Sequence, residues 1–136
     1  MMKPNDAQRV EALRGLLVSH DRVAIVGGPR TGKTWLSASI HDREVIHTDK
    51  LIHLPWGEVP VTLIATCRKL PRFLIEGVQV ARALRAGLVV DAVLYLDLPM
   101  VEQSKGQASM GKSVDTIFRE WRALNRVTHV SSPDLS

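Results

Sequence analysis

Four apolar residues in a row, Val23 to Val26, follow the polar pair Asp21-Arg22 and run into Gly27 and Gly28. A short continuous apolar run bounded by breakers is the pattern of a strand buried on both faces, as in a parallel sheet. Similar runs return along the chain: "EVIHT" closing at Asp49, "RFLIEG" with Gly77 as its turn, "VVDAVLYLDLP" stopped by Pro99, and a terminal "RVTHVSS". Between the runs the apolar period lengthens to that of a helix. Asn5 or Asp6 caps a first helix over 5–18, with Ala7, Val10, Leu13 and Leu17 in one stripe. "KTWLSASI" restarts as a short helix after the first strand, and a helix from about Val61 to Leu70 is stopped by Pro71. "VQVARALRAG" makes a helix with Gly87 as C-cap, and "VDTIFREWRAL" sets Val114, Ile117, Trp121 and Leu124 on one face. Pro55, Gly57 and Pro60 break the segment after Asp49, and "SKGQASMGKS" predicts a polar loop.

Strands alternating with helices imply right-handed crossovers and a mostly parallel sheet with helices on both faces, an α/β fold. The chain shows no internal repeat, and its 136 residues predict one domain over 1–136. An apolar content of 45% is enough for a core of this size without disulfides or metal. The single cysteine, Cys67, lies in "TLIATCRKL" and reads as a small buried apolar residue rather than a nucleophile. No apolar run approaches the roughly 20 residues that a membrane helix needs. The polar, helix-periodic N-terminus is unlike a signal peptide, so the expected setting is cytoplasmic, away from membranes. The net charge of +4 tilts the chain towards polyanionic partners, nucleic acid among them.

The candidate chemistry is concentrated after the first strand. "GGPRTGKT" fits G-x-x-x-x-G-K-[ST], with Gly27, Gly32, Lys33 and Thr34 at the fixed positions. At average glycine usage the match arises by chance in roughly one chain in two hundred of this length. A preceding apolar strand and a following helix supply the context that the motif demands. Phosphate oxygens are met by several backbone N–H groups at once, which requires a backbone free of Cβ crowding. Gly27, Gly28, Pro29, Arg30, Thr31, Gly32, Lys33 and Thr34 are therefore the expected nucleotide-phosphate contacts. Lys33 carries the point charge towards the β- and γ-phosphates, and Thr34 presents its hydroxyl to Mg²⁺.

From Val23 to Ser131 the chain resembles the small P-loop kinases, the group of adenylate kinase, shikimate kinase and other nucleoside, nucleotide and metabolite kinases. The resemblance implies a five-stranded sheet in the order 2-3-1-4-5, with ATP and Mg²⁺ as cofactors. It implies transfer of the γ-phosphate to a hydroxyl of a nucleoside, nucleotide, small metabolite or hydroxymethylated DNA base, the last as in phage kinases acting on modified pyrimidines in DNA. "VIHTDKLI" is similar to the end of the group's second strand, where Asp49 would orient the acceptor hydroxyl and accept its proton; an N-cap aspartate is the alternative. "RFLIEG" is similar to the group's acid-ended strand, which makes Glu76 a metal-linked or acceptor-facing carboxylate, or else a strand-end acid paired with an arginine such as Arg82. Asp97, at the end of "VLYLD", is the rival acid and ranks below Glu76. The catalytic set expected from the resemblance is Lys33, Asp49 and Glu76, with Thr34 and Glu76 at the metal.

The segment at about 103–113 stands where this group carries a lid, with Lys105 and Lys112 in the loop and Arg119 and Arg122 on the helix behind it as phosphate contacts. The group's usual paired lid arginines are missing here. Trp35 and Trp121 read as core, Trp56 as an ordinary loop residue after Asp49 with a wall of the acceptor pocket as the alternative, and the five histidines have no metal-ligand spacing. The alternative function is a P-loop ATPase or nucleotide-dependent switch acting on a protein or nucleic-acid partner.

Overall fold

The computed structural model describes residues 4–28, 33, 37–38, 40–51, 53–96 and 103–131. Nine elements are described: α1 (Pro4–Ser19), β1 (Arg22–Gly27), β2 (Glu44–His47), α2 (Glu58–Arg68), β3 (Phe73–Glu76), α3 (Val80–Arg85), β4 (Ala92–Leu96), α4 (Lys105–Leu124) and β5 (Thr128–Ser131). A 3-10 turn, Thr48–Leu51, continues β2. The five strands form one sheet in the order β2-β3-β1-β4-β5, and each neighbouring pair is parallel. All five apolar runs are strands, in the expected order.

Successive side chains of a strand point to opposite faces, so each strand feeds two cores. Val23, Ile25, Leu74, Ala92 and Leu94 meet Leu13, Leu16 and Leu17 of α1 on one face. Ala24, Val26, Phe73, Ile75 and Val93 meet α2, α3 and α4 on the other. Within the expected α1 stripe, Leu13 and Leu17 are buried, Val10 is half-buried and Ala7 is exposed. The C-terminal carbonyls of α1 are closed by Arg43, whose guanidinium is fully buried. It donates to the carbonyls of Leu17, His20 and Asp21 at 2.7–3.0 Å and to both carboxylate oxygens of Asp42. A helix end has four carbonyls without helical partners, and a cation satisfies them while complementing the helix dipole.

Two local expectations change. The helix α2 begins at Glu58, so Pro60 lies in its first turn, where its missing N–H has no helical partner to lose. The stretch expected as a lid-like loop at 103–113 is helical from Lys105 onwards. Ser104 caps it: its Oγ accepts from the Gln107 N–H at 3.2 Å, while the Gln107 side-chain oxygen accepts from the Ser104 N–H at 2.9 Å. This reciprocal capping box, S-x-x-Q, outweighs the helix cost of Gly106 and Gly111. Part of that cost is recovered in packing, since a Cβ on Gly28 would stand 2.6 Å from the Gly111 Cα. Two backbones meet there with no side chain between them. Of "KTWLSASI", Lys33 and Ser37 are helical, and Thr34, Trp35, Leu36 and Ser39 lie outside the described residues, as does Asp97. Cys67 is buried as expected, and burial pushes its thiol up to about 11, far from a nucleophile's range.

The turn after β3 depends on Gly77. Its φ is +136°, and a Cβ there would lie 1.6 Å from the Thr48 Oγ1. Gly77→Ala should therefore cost at least about 2 kcal/mol, from backbone strain and the displaced Thr48 together. Denaturant titration reads this as a lowered midpoint at unchanged slope.

Candidate active site

From β1 the chain crosses β3 to reach β2, whereas every later connection runs the other way across the sheet. In an open parallel sheet, ligands bind where the connections diverge, outside the carboxyl ends of the strands. Here that position is the end of β1, where Gly27 passes into the glycine-rich segment. Gly27, Gly28 and Lys33 of that segment are described; Pro29, Arg30, Thr31, Gly32 and Thr34 lie outside the described residues.

Lys33 is 7% exposed, and its Nζ donates to the Gly28 carbonyl. A buried ammonium holds its proton less firmly, and burial lowers the Lys33 pKa below the ordinary lysine value. Two carboxylates oppose that shift, Glu76 more strongly than Asp49. The three residues expected as the catalytic set therefore act on one another electrostatically in the fold.

Glu76 ends β3 and is 1% exposed. Its position follows from register: Glu76 stands beside Ile25 of β1 on one side and His47 of β2 on the other. His47 Nδ1 and Glu76 Oε1 are 2.6 Å apart. A carboxylate only accepts, so with Glu76 ionised the Nδ1–H is the donor and Nε2 faces outward as the second ring nitrogen. Arg82, the sequence-level alternative partner of Glu76, instead stacks on Trp56 and donates to Ser113. Parallel register was the only signal for the His47–Glu76 pair, since the two residues stand 29 apart in sequence. Asp49 lies in the first turn of the 3-10 segment and is exposed, on the solvent side of Lys33's two acids.

The expected lid cations do not converge. Lys105 is the first residue of α4 and is exposed. Lys112 follows Gly111, the residue packed on Gly28, and turns into a groove between α3 and α4. Arg119 and Arg122 lie eight and eleven residues beyond Gly111, about 12 and 16 Å further along the helix axis. They border a separate groove of about 580 Å³ with Tyr95, Phe118, Asn125 and His129, at the β5 edge. Helix α4 thus carries both arginines away from Gly111 and the Gly28 backbone packed on it.

The chain matches no protein-family model, no curated protein and no solved structure. What can be said of its chemistry rests on the site. Among the described residues no group of three or more His, Cys, Asp or Glu side chains forms a metal cage, and no helix is long and apolar enough to cross a membrane.

Glu76→Gln removes the stronger of the two carboxylates facing Lys33 and should depress the lysine's pKa further. A lysine whose folded pKa lies below its unfolded value opposes folding while protonated, and the penalty fades as pH climbs through the folded value towards 10.5. The stability deficit of Glu76→Gln should therefore be largest near neutral pH and shrink as pH rises towards 10. Urea midpoints measured across that range check the trend; a deficit constant with pH would separate Glu76 from Lys33.

Proposed function

We propose that the chain is a phosphotransferase that moves the γ-phosphoryl group of ATP to a hydroxyl acceptor. The observation that carries this reading is the buried Lys33, bonded to the Gly28 carbonyl where the glycine-rich segment leaves β1 and within the field of Glu76 and Asp49. A buried lysine within the field of two carboxylates is suited to meeting phosphate oxygens without strong competition from water.

The two carboxylates divide the work by exposure. Glu76 is enclosed and tied to His47, which suits holding Lys33 and, with Thr34, a metal ion. Mg²⁺ takes most of its ligands from nucleotide phosphates and water and needs only one or two protein oxygens, so a single buried carboxylate fits it where a dedicated cage does not. When bound, the ion neutralises charge on the transferring phosphoryl group. Asp49 faces solvent, where an acceptor can reach it. It orients the acceptor hydroxyl and takes its proton as the acceptor oxygen bonds to the γ-phosphorus and the bond to the β–γ bridging oxygen breaks, leaving ADP. The acceptor classes are those carrying an alcohol: nucleosides, nucleotides, small metabolites or a hydroxymethylated base in DNA.

The deciding assay offers γ-labelled ATP and Mg²⁺ together with each acceptor class in turn. Label on one acceptor supports the reading, whereas label released only as free phosphate favours an ATPase. Asp49→Asn should slow transfer by about 10²–10⁴-fold with ATP binding retained, the usual worth of a positioned general base. Lys33→Met should abolish transfer altogether. Transfer untouched in Asp49→Asn would reduce Asp49 to a helix-capping acid.

A further inference from the structure

A groove of about 520 Å³ runs between α3 and α4, lined by Arg82, Arg85, Lys112, Ser113, Thr116 and Glu120. Three cations and two hydroxyls face it against one acid. Arg82 is half-buried, with its guanidinium carbon 4.8 Å from the centroid of the Trp56 ring. Its Nη2 donates to the Ser113 Oγ at 3.3 Å, while its Nη1 is buried with no hydrogen-bond partner. Among the described residues no carboxylate pairs with Arg82, Arg85 or Lys112.

That arrangement is costly for folding alone. A guanidinium withdrawn from water loses hydration, and here no carboxylate repays it. Burial, and then the nearby charge of Arg85, lower the Arg82 pKa, which registers the same cost. The indole face holds the planar group in place by cation–π attraction, and Arg82 lines the groove from that position. A forked guanidinium, an ammonium and a hydroxyl at one place form the donor set that meets a phosphate.

Both walls of the groove are anchored at the candidate active site. Helix α3 follows Gly77, which is packed against Thr48 beside Asp49, and Lys112 follows Gly111, which is packed on Gly28. The two helices that wall the groove are thereby braced by the contacts that set the ends of β1 and β3.

We propose that the α3–α4 groove is an anion site for a phosphate ester, with Arg82 and Lys112 as its charged contacts and Ser113 as a hydroxyl contact. On the phosphotransferase reading, from which this follows as a statement about substrate, the ester belongs to the acceptor. The acceptor is then a nucleotide or a nucleic-acid strand rather than a nucleoside or a neutral metabolite. Both sources present the same phosphate oxygens, and the test separates them.

Equilibrium binding to the full chain without ATP is measured for thymidine, thymidine 5′-monophosphate and a short DNA duplex. At least one phosphate-bearing probe should bind while thymidine does not. Arg82→Met and Lys112→Met should each weaken that binding about tenfold or more, the worth of a charge-assisted hydrogen bond. Lys112 is exposed on α4, so its variant keeps the question answerable should Arg82→Met fold poorly. Saturable monophosphate binding assigns the site to a nucleotide, and binding of the duplex alone assigns it to a strand. The proposal is overturned if thymidine binds as tightly as its monophosphate, if neither phosphate-bearing probe binds, or if both variants bind like the parent. Transfer of γ-label is read separately: Arg82-dependent binding without any transfer retains the anion site and removes the phosphotransferase reading.

Discussion

His47 stands opposite Glu76 in the parallel ladder of β2 and β3, and one residue further on Thr48 lies against Gly77. The rest of the site depends on this register. A slip of one residue would turn Glu76 to the other face of the sheet and bring a side chain against Thr48 where only a hydrogen fits. In register, the carboxylate reaches His47, the turn at Gly77 closes, and the chain leaves towards α3. Asp49 is positioned by the same contact, because the 3-10 turn that carries it begins at Thr48. Lys33 then sits within the field of both acids.

Glycine is used at two of these joints for one physical reason, close approach. At Gly77 the approach is to a side chain and is combined with a positive φ; at Gly28 it is to the backbone of Gly111. The second contact braces α4 on the end of β1, and from Lys105 onwards the chain is helix rather than the expected loop. The cations further along it serve other surfaces.

Polar groups buried without obvious return are the features that separate this molecule from a merely stable α/β domain. Arg43 is buried but repaid in full by three carbonyls and a carboxylate, and its role is structural. Arg82 is repaid only in part among the described residues: its Nη2 donates to Ser113 and its face meets Trp56, while its Nη1 is buried with no hydrogen-bond partner there. Natural proteins tolerate such costs where a ligand supplies the missing partner.

Most of the architecture was legible in the chain. Five apolar runs separated by helical periods specify parallel strands, because only strands covered on both faces can be apolar at every position. The glycine–lysine spacing marked the end of β1, and the acids at the ends of the second and third runs marked Asp49 and Glu76. Helix α4 was legible too, through Ser104 and Gln107, but two glycines masked it; their backbone freedom argues for a loop until Gly111 is seen to face Gly28. Other relations had no local trace. The His47–Glu76 pair, the stacking of Arg82 on Trp56, and the divergence of Arg119 and Arg122 from the loop each join or separate residues far apart in sequence. Periodicity reports which face a residue takes within its own element. Which residues then meet is set by strand order, register and helix axis, and these arise only when the elements pack.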